Sequence, residues 1–375
     1  MKVKIQIMRV QIQFNQVVRF LKKETKFSRA VFVLILPFIL LCSCEPKQPE
    51  ENLPIFNILV LNEGLMNANN GSITAYYTGT NVGIDDIFSN VNKQQLGDVA
   101  NDILLYGSKV YVAVSGSSQI CVMDLKSGVL IKQIPVTASG VGSQPRQIVS
   151  HNGKVYICCF DGSVLKIDTT SLLIEATEKA SRNPDGICVA NNKLYVSNSG
   201  GLDYPNYDNT VSVFDLNTFT KINRIEVQIN PTLMKTDKKG NVYVVSNGNY
   251  NDVPPCLQRI NTITDKVEKV FDIGISVFDI YNDYLYFYTH DYVSGSTSYQ
   301  ILDLLQDSII NNNFISDDDL PKTPNGINVN PRTGDVYIFD ALDYVSTGDV
   351  YCFDNNGKKK FKFEAGIIPK KAVFK

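Results

Sequence analysis

Six segments of this chain share one phrase, a tyrosine between two apolar residues. They are Val110-Tyr111-Val112, Val155-Tyr156-Ile157, Leu194-Tyr195-Val196, Val242-Tyr243-Val244, Leu285-Tyr286-Phe287 and Val336-Tyr337-Ile338. The tyrosines stand 45, 39, 48, 43 and 51 residues apart. A recurring unit of that length cannot bury its apolar face alone and must stack against copies of itself. Around each phrase apolar and polar residues alternate, turn residues recur roughly every 8–12 positions, and no segment carries a convincing helical period. The unit is therefore a small sheet, and its length suits a four-stranded propeller blade.

Two further motifs frame the phrase. A proline-led start precedes most copies: Gln144-Pro145-Arg146, Asn183-Pro184-Asp185, Asn230-Pro231-Thr232, Thr323-Pro324-Asn325 and Ile368-Pro369-Lys370. Proline is tolerated at the first residue of a strand, where no ladder hydrogen bond is lost. An apolar strand ending in Asp or Asn follows each copy, as in Met123-Asp124, Ile167-Asp168, Phe214-Asp215 and Phe353-Asp354. Such side chains close the next turn themselves. Each unit thus reads as four strands: a proline-led innermost strand, the tyrosine strand, an Asp-terminated third and a polar outer strand.

Counting gives seven units, with the first and last incomplete. The chain enters its first unit directly in a second strand, Asn57-Ile58-Leu59-Val60, while residues 367–375 look like an innermost strand with no successor. The expected fold is an all-β, seven-bladed β-propeller over 55–375, its ring closed by the C-terminal strand completing the first blade. Closure removes the exposed edges of an open array. The tyrosine ladder is then packing between blades.

The N-terminus reads differently. Residues 1–44 carry eight Lys/Arg against one Glu, which leaves −9 on the remainder of a chain whose net charge is −2. An acidic body argues against nucleic acid as a partner. The apolar run at 30–41 rises only ~18 Å as a helix, too short for a bilayer span, and fits a signal peptide. Leu41-Cys42-Ser43-Cys44 resembles a lipobox, so 1–44 reads as a lipoprotein signal peptide with Cys44 as the lipidation site. A plain secreted protein is the alternative, and Met8 is an alternative start. Residues 45–54, rich in Pro and Glu, form a flexible tether. The expected location is the outer membrane, at the cell surface. The other six cysteines show no C-x-x-C spacing and read as buried small hydrophobes.

In a propeller the loops after the second and fourth strands share one face. Here those after the second strand are short in blades 2 and 3 and long elsewhere. Long loops carry Asn67, Asn69 and Asn70 in blade 1, and an acidic or amide residue before tyrosine in four others: Asp203-Tyr204 (with Tyr207), Asn249-Tyr250, Asp291-Tyr292 and Asp343-Tyr344. Tyrosine offers rigid amphipathic contact and Asn/Asp offer hydrogen bonds, the pairing that antibody loops use. With Arg146, Asp185 and Asn325 at the innermost-strand entries and His290 in a loop, these are the candidate ligand-binding residues; Lys370, at the last such entry, is expected to point toward the same mouth. The structural alternative is that such loops merely turn the chain.

The opening Val60-Leu61-Asn62-Glu63-Gly64 and Asn69-Asn70-Gly71-Ser72-Ile73, with Asn183-Pro184-Asp185-Gly186-Ile187 and Val211-Ser212-Val213-Phe214-Asp215, resembles YncE-like seven-bladed propeller lipoproteins of Bacteroidetes. That group includes the BtuG-type surface cobalamin-binding proteins. The resemblance implies a non-enzymatic monomer that needs no cofactor, takes cobalamin as its ligand and passes it to a TonB-dependent outer-membrane transporter. The alternatives are a propeller binding a glycan, peptide or partner protein, and a lactonase-like or lyase-like hydrolytic propeller. The lactonase-like form would hold a divalent metal through Asn62, Glu63, Asp185 and Asn325. Quinoprotein dehydrogenases are disfavoured, since their tryptophan-rich blade motifs have no counterpart in a chain without Trp.

Overall fold

The structure, a computed structural model, describes residues 56–375 apart from Tyr292 and Ser316. The expected signal peptide, Cys44, the tether and Tyr292 lie outside the described residues. Seven four-stranded antiparallel sheets succeed one another along the chain. Their innermost strands are Pro369–Phe374 in blade 1, Ala100–Tyr106 in blade 2, Pro145–His151 in blade 3 and Pro184–Ala190 in blade 4. Pro231–Thr236, Val277–Tyr281 and Pro324–Val329 serve blades 5, 6 and 7. Blade 1 is composite as expected. Its strand Ile58–Asn62 pairs with Ser72–Tyr77 on one side and with Pro369–Phe374 on the other, Ile58 lying opposite Phe374.

Seven apolar clusters fill the ring, one at each blade-to-blade interface. The six repeat tyrosines are all buried. Each belongs to the cluster shared with the following blade: Tyr111 with Ile148 and Val155, Tyr243 with Phe278 and Leu285, Tyr337 with Ile58 and Val60. Burial of one such ring stabilises by ~1.5–3 kcal/mol. Adhesion between neighbouring sheets therefore comes from the same residue in blade after blade.

The turns behave as their sequence demands. Asp124, Asp168, Asp215, Asn261, Asp303 and Asp354 each accept two backbone N–H groups from the turn that follows. One element departs from the all-β expectation, a helix at Ile87–Asn92 between blades 1 and 2, capped by Asp86, whose side chain accepts from the Ser89 N–H. It buries Ile87 and Phe88 in the blade 1–2 cluster. Six residues make fewer than two turns, too few for a helical period to show.

Candidate functional site

The site begins with a backbone irregularity that recurs. In blades 1 to 5 the residue before the innermost strand, Ile368, Val99, Gln144, Asn183 or Asn230, sits at positive φ. Its carbonyl accepts from the residue just past the second strand, at Glu63, Ser115, Phe160, Ser199 and Asn247 respectively. For Val99 and Ile368 this backbone is costly, since a branched Cβ crowds the left-handed region. The strand then bulges: Pro145 faces Cys159 but Ile148 faces Ile157, and the same slip follows Ala100, Pro184, Pro231, Pro324 and Pro369. A bulge re-aims side chains. Here it turns Asn101, Arg146, Asp185, Thr232, Asn325 and Lys370 into the mouth of the central channel, a cavity of about 520 Å³.

These side chains form a chain of contacts around the mouth. Lys370 Nζ donates to Glu63 Oε2 at 3.0 Å and to Asn101 Oδ1 at 3.2 Å. Arg146 donates to Asn101 Oδ1 at 2.9 Å and to Asp185 Oδ1 at 2.7 Å, with its guanidinium 4.1 Å above the Phe160 ring. Burial works against the Arg146 charge, but Asp185 outweighs it and holds the guanidinium above its ordinary pKa. Deeper in the channel Lys371 meets Asp102 at 2.5 Å and Lys235 meets Asp279 at 3.1 Å. Positive and negative groups are matched one to one at both levels.

Asn62 does not join this mouth. It is buried, its amide nitrogen donating to Ser72 and Thr74. Glu63 and Asp185 lie at opposite ends of the contact chain with two cations between them. Among the described residues no group of three or more His, Cys, Asp or Glu side chains is arranged to hold a metal ion. The six cysteines from Cys121 to Cys352 are buried and unpaired. Burial pushes the Cys121, Cys159, Cys188 and Cys352 thiols up to about 12.

Blade 6 breaks the pattern. Its innermost strand has no leading proline and no bulge, and Val277 pairs in step with Tyr288. Where the repeat lapses, a second cavity of about 680 Å³ opens beside the channel. Tyr250, Pro254 and Pro255 of blade 5 wall one side, Val277, Tyr288, Thr289 and His290 of blade 6 the other, and Asn325 of blade 7 borders both this cavity and the channel. His290 Nδ1 lies 2.7 Å from Thr297 Oγ1. Tyr250 continues outward into an aromatic chain, edge-on to Tyr207 at 6.2 Å, which is edge-on to Tyr204 at 6.0 Å. Tyr204 and Tyr250 are each 73% exposed.

The structure thus brings together Tyr250, His290 and Asn325 around the second cavity, with Tyr207 and then Tyr204 reaching outward from Tyr250 without lining it, and Arg146, Asp185 and Asn325 around the channel. Asn67, Asn69, Asn70, Asp343 and Tyr344 border neither. The residues preceding the loop tyrosines close their own loops. Asn249 accepts from the Asn251 and Val253 N–H groups, Asp291 from Val293, and Asp343 from Val345 and Ser346. Asp203 pairs with Arg182, and Asn70 accepts from the Leu65 N–H. The sequence offered no motif at Asn101, Asn247, Val277 or Thr289, while Thr232, in the proline-led Asn230-Pro231-Thr232, was not among the candidates although it lines the channel. The proline before Thr232 and Pro254-Pro255, directly after a tyrosine loop, are the signals that were available.

A family model described as Domain of unknown function (DUF5074) matches residues 57–375, the whole ring. The chain belongs to the DUF5074 family. A search of curated proteins finds no match. Among solved structures this DUF5074 chain is similar to a quinonprotein alcohol dehydrogenase-like protein from Bacteroides thetaiotaomicron (TM-score 0.62, 16% identity, 85% of this chain and 78% of that one). It is also similar to Kuenenia stuttgartiensis hydrazine synthase (TM-score 0.57, 15% identity, 68% and 77%) and to the computationally designed Ika8 protein (TM-score 0.53, 11% identity, 72% and 88%). At these identities the likeness is one of fold.

Proposed function

We propose that this protein is a ligand-capture propeller, held at the outer membrane by a lipid on Cys44. In this reading it takes cobalamin on the face bearing the tyrosine loops and passes it to a TonB-dependent transporter. The observation that carries the reading is the aromatic chain Tyr204–Tyr207–Tyr250 leading into an open cavity beside a channel mouth whose charges are already matched. A broad, rigid, amide-fringed corrin loses little conformational freedom on docking and suits tyrosine faces and asparagine amides. In this proposal the N-terminal lipid supplies the membrane attachment; no helix among the described residues is long and apolar enough to cross a membrane.

Titration of the purified protein with cyanocobalamin by calorimetry tests it. Saturable one-to-one binding, weakened by Tyr204→Ala with Tyr250→Ala, is expected. Absence of binding at micromolar protein overturns the cobalamin assignment.

A further inference from the structure

We infer that the cavity between blades 5 and 6 is a subsite for an uncharged group carrying N–H donors, and that it discriminates a primary amide from the isosteric carboxylate. The inference rests on reading this face as a capture surface, but not on cobalamin being what is captured.

The argument starts from what the lining lacks. No Asp, Glu, Lys or Arg borders this cavity, although the adjoining channel mouth carries Arg146, Asp185 and Lys370. A carboxylate moved into such a place gives up part of its hydration and finds no Lys or Arg in the wall, only the His290 ring, whose Nδ1 is already engaged by Thr297 Oγ1, and that weakens its binding. A neutral amide loses less and regains hydrogen bonds. The polar groups present suit a ligand that both donates and accepts. Asn325 engages one Nδ2 hydrogen with the Pro369 carbonyl and Asn247 one with Thr232 Oγ1, so each keeps an amide oxygen and a second N–H to offer, a pairing that a primary amide matches and a carboxylate, which only accepts, does not. Pro254, Pro255, Val277 and the rings of Tyr250 and Tyr288 supply flat apolar walls. Paired donors and acceptors between apolar walls fit a planar amide.

Nearby cations do not undo this selection. Lys370 is engaged by Glu63 and Asn101, and Arg146 by Asp185 and Asn101. Drawing either toward a bound carboxylate would strand its present partner.

Nicotinamide and nicotinate, alike in shape and differing in this one group, are the probes. Saturation-transfer NMR on the full chain at neutral pH is expected to show nicotinamide binding at least ~10-fold tighter than nicotinate. Thr289→Lys, which places a cation in the wall, is expected to reverse the order. Val277→Trp, which fills the space, is expected to abolish nicotinamide contact, with thermal melts confirming that both variants fold. Equal binding of the two probes, no contact by either, or an unchanged preference in Thr289→Lys overturns the inference. Amide preference without cyanocobalamin binding would instead overturn the cobalamin assignment alone.

Discussion

Lys370 and Glu63 meet at 3.0 Å across 307 positions of sequence. The same strand sets Lys371 on Asp102 of blade 2 and the Ala372 N–H on Asn328 of blade 7. The last strand therefore ties three blades together and supplies part of the channel wall. Deletion of 367–375 is expected to abolish cooperative unfolding of the whole ring rather than fray one end, as read by circular dichroism during heating. Lys371→Ala alone leaves the buried Asp102 with backbone donors only. Because Lys371 keeps some solvent contact, its loss is expected to cost about 2 kcal/mol in urea denaturation, less than for a fully buried pair.

The tyrosines divide into two classes that respond differently. Tyr204→Ala and Tyr250→Ala remove exposed rings and are expected to change stability by less than ~1 kcal/mol while weakening ligand binding. Tyr195→Ala and Tyr243→Ala empty interface clusters, and Tyr195 also loses its hydrogen bond to Asp265. Each is expected to cost about 3–5 kcal/mol. Chemical denaturation of the four variants checks this, and equal losses in both classes would refute the division.

Two glycines set how closely neighbouring innermost strands approach. A Cβ on Gly186 would stand 2.1 Å from the Thr232 carbonyl oxygen, and one on Gly326 2.0 Å from that of Lys370. Backbone cannot yield as a flexible side chain does. Gly326→Ala is expected to destabilise by about 3 kcal/mol and to disturb the blade 7 to blade 1 junction, seen as faster amide exchange at Lys370 and Lys371. A melting temperature equal to the parent's would show that the junction is loose.

Acid should weaken the ring through its turns. Lys154 holds the Asp168 carboxyl below its usual range, the Ser127 hydroxyl does the same for Asp124, and the Thr218 N–H for Asp215. A carboxyl whose pKa is lowered by folding contributes stability that is complete above its unfolded value near ~3.9 and is lost as pH falls through the folded value. Melting temperature is therefore expected to decline below about pH 4, with a smaller decline in Asp168→Asn. A decline beginning well above that pH would implicate other groups.

Much of this architecture was legible because it depends on residues that act locally and recur. The tyrosines, the leading prolines and the turn-closing Asp and Asn residues report seven sheets, and the unmatched ends report the closure. The candidate site was legible only in part. That Arg146 and Asp185 reach the channel mouth follows from their position after proline, but that they neutralise each other depends on the spacing of adjacent blades. Asp203, Asn249, Asp291 and Asp343 looked free to meet a ligand; short-range hydrogen bonding engages the last three, and Arg182 from a separate loop engages Asp203. The cavity at blade 6 arises where a motif is missing, so no residue announces it.

That missing motif has a consequence for stoichiometry. A toroid of seven equal parts would offer a guest seven interchangeable seats and no preferred heading. The plain strand Val277–Tyr281 marks one bearing on the circle, so the proposed guest would have one seat and one heading.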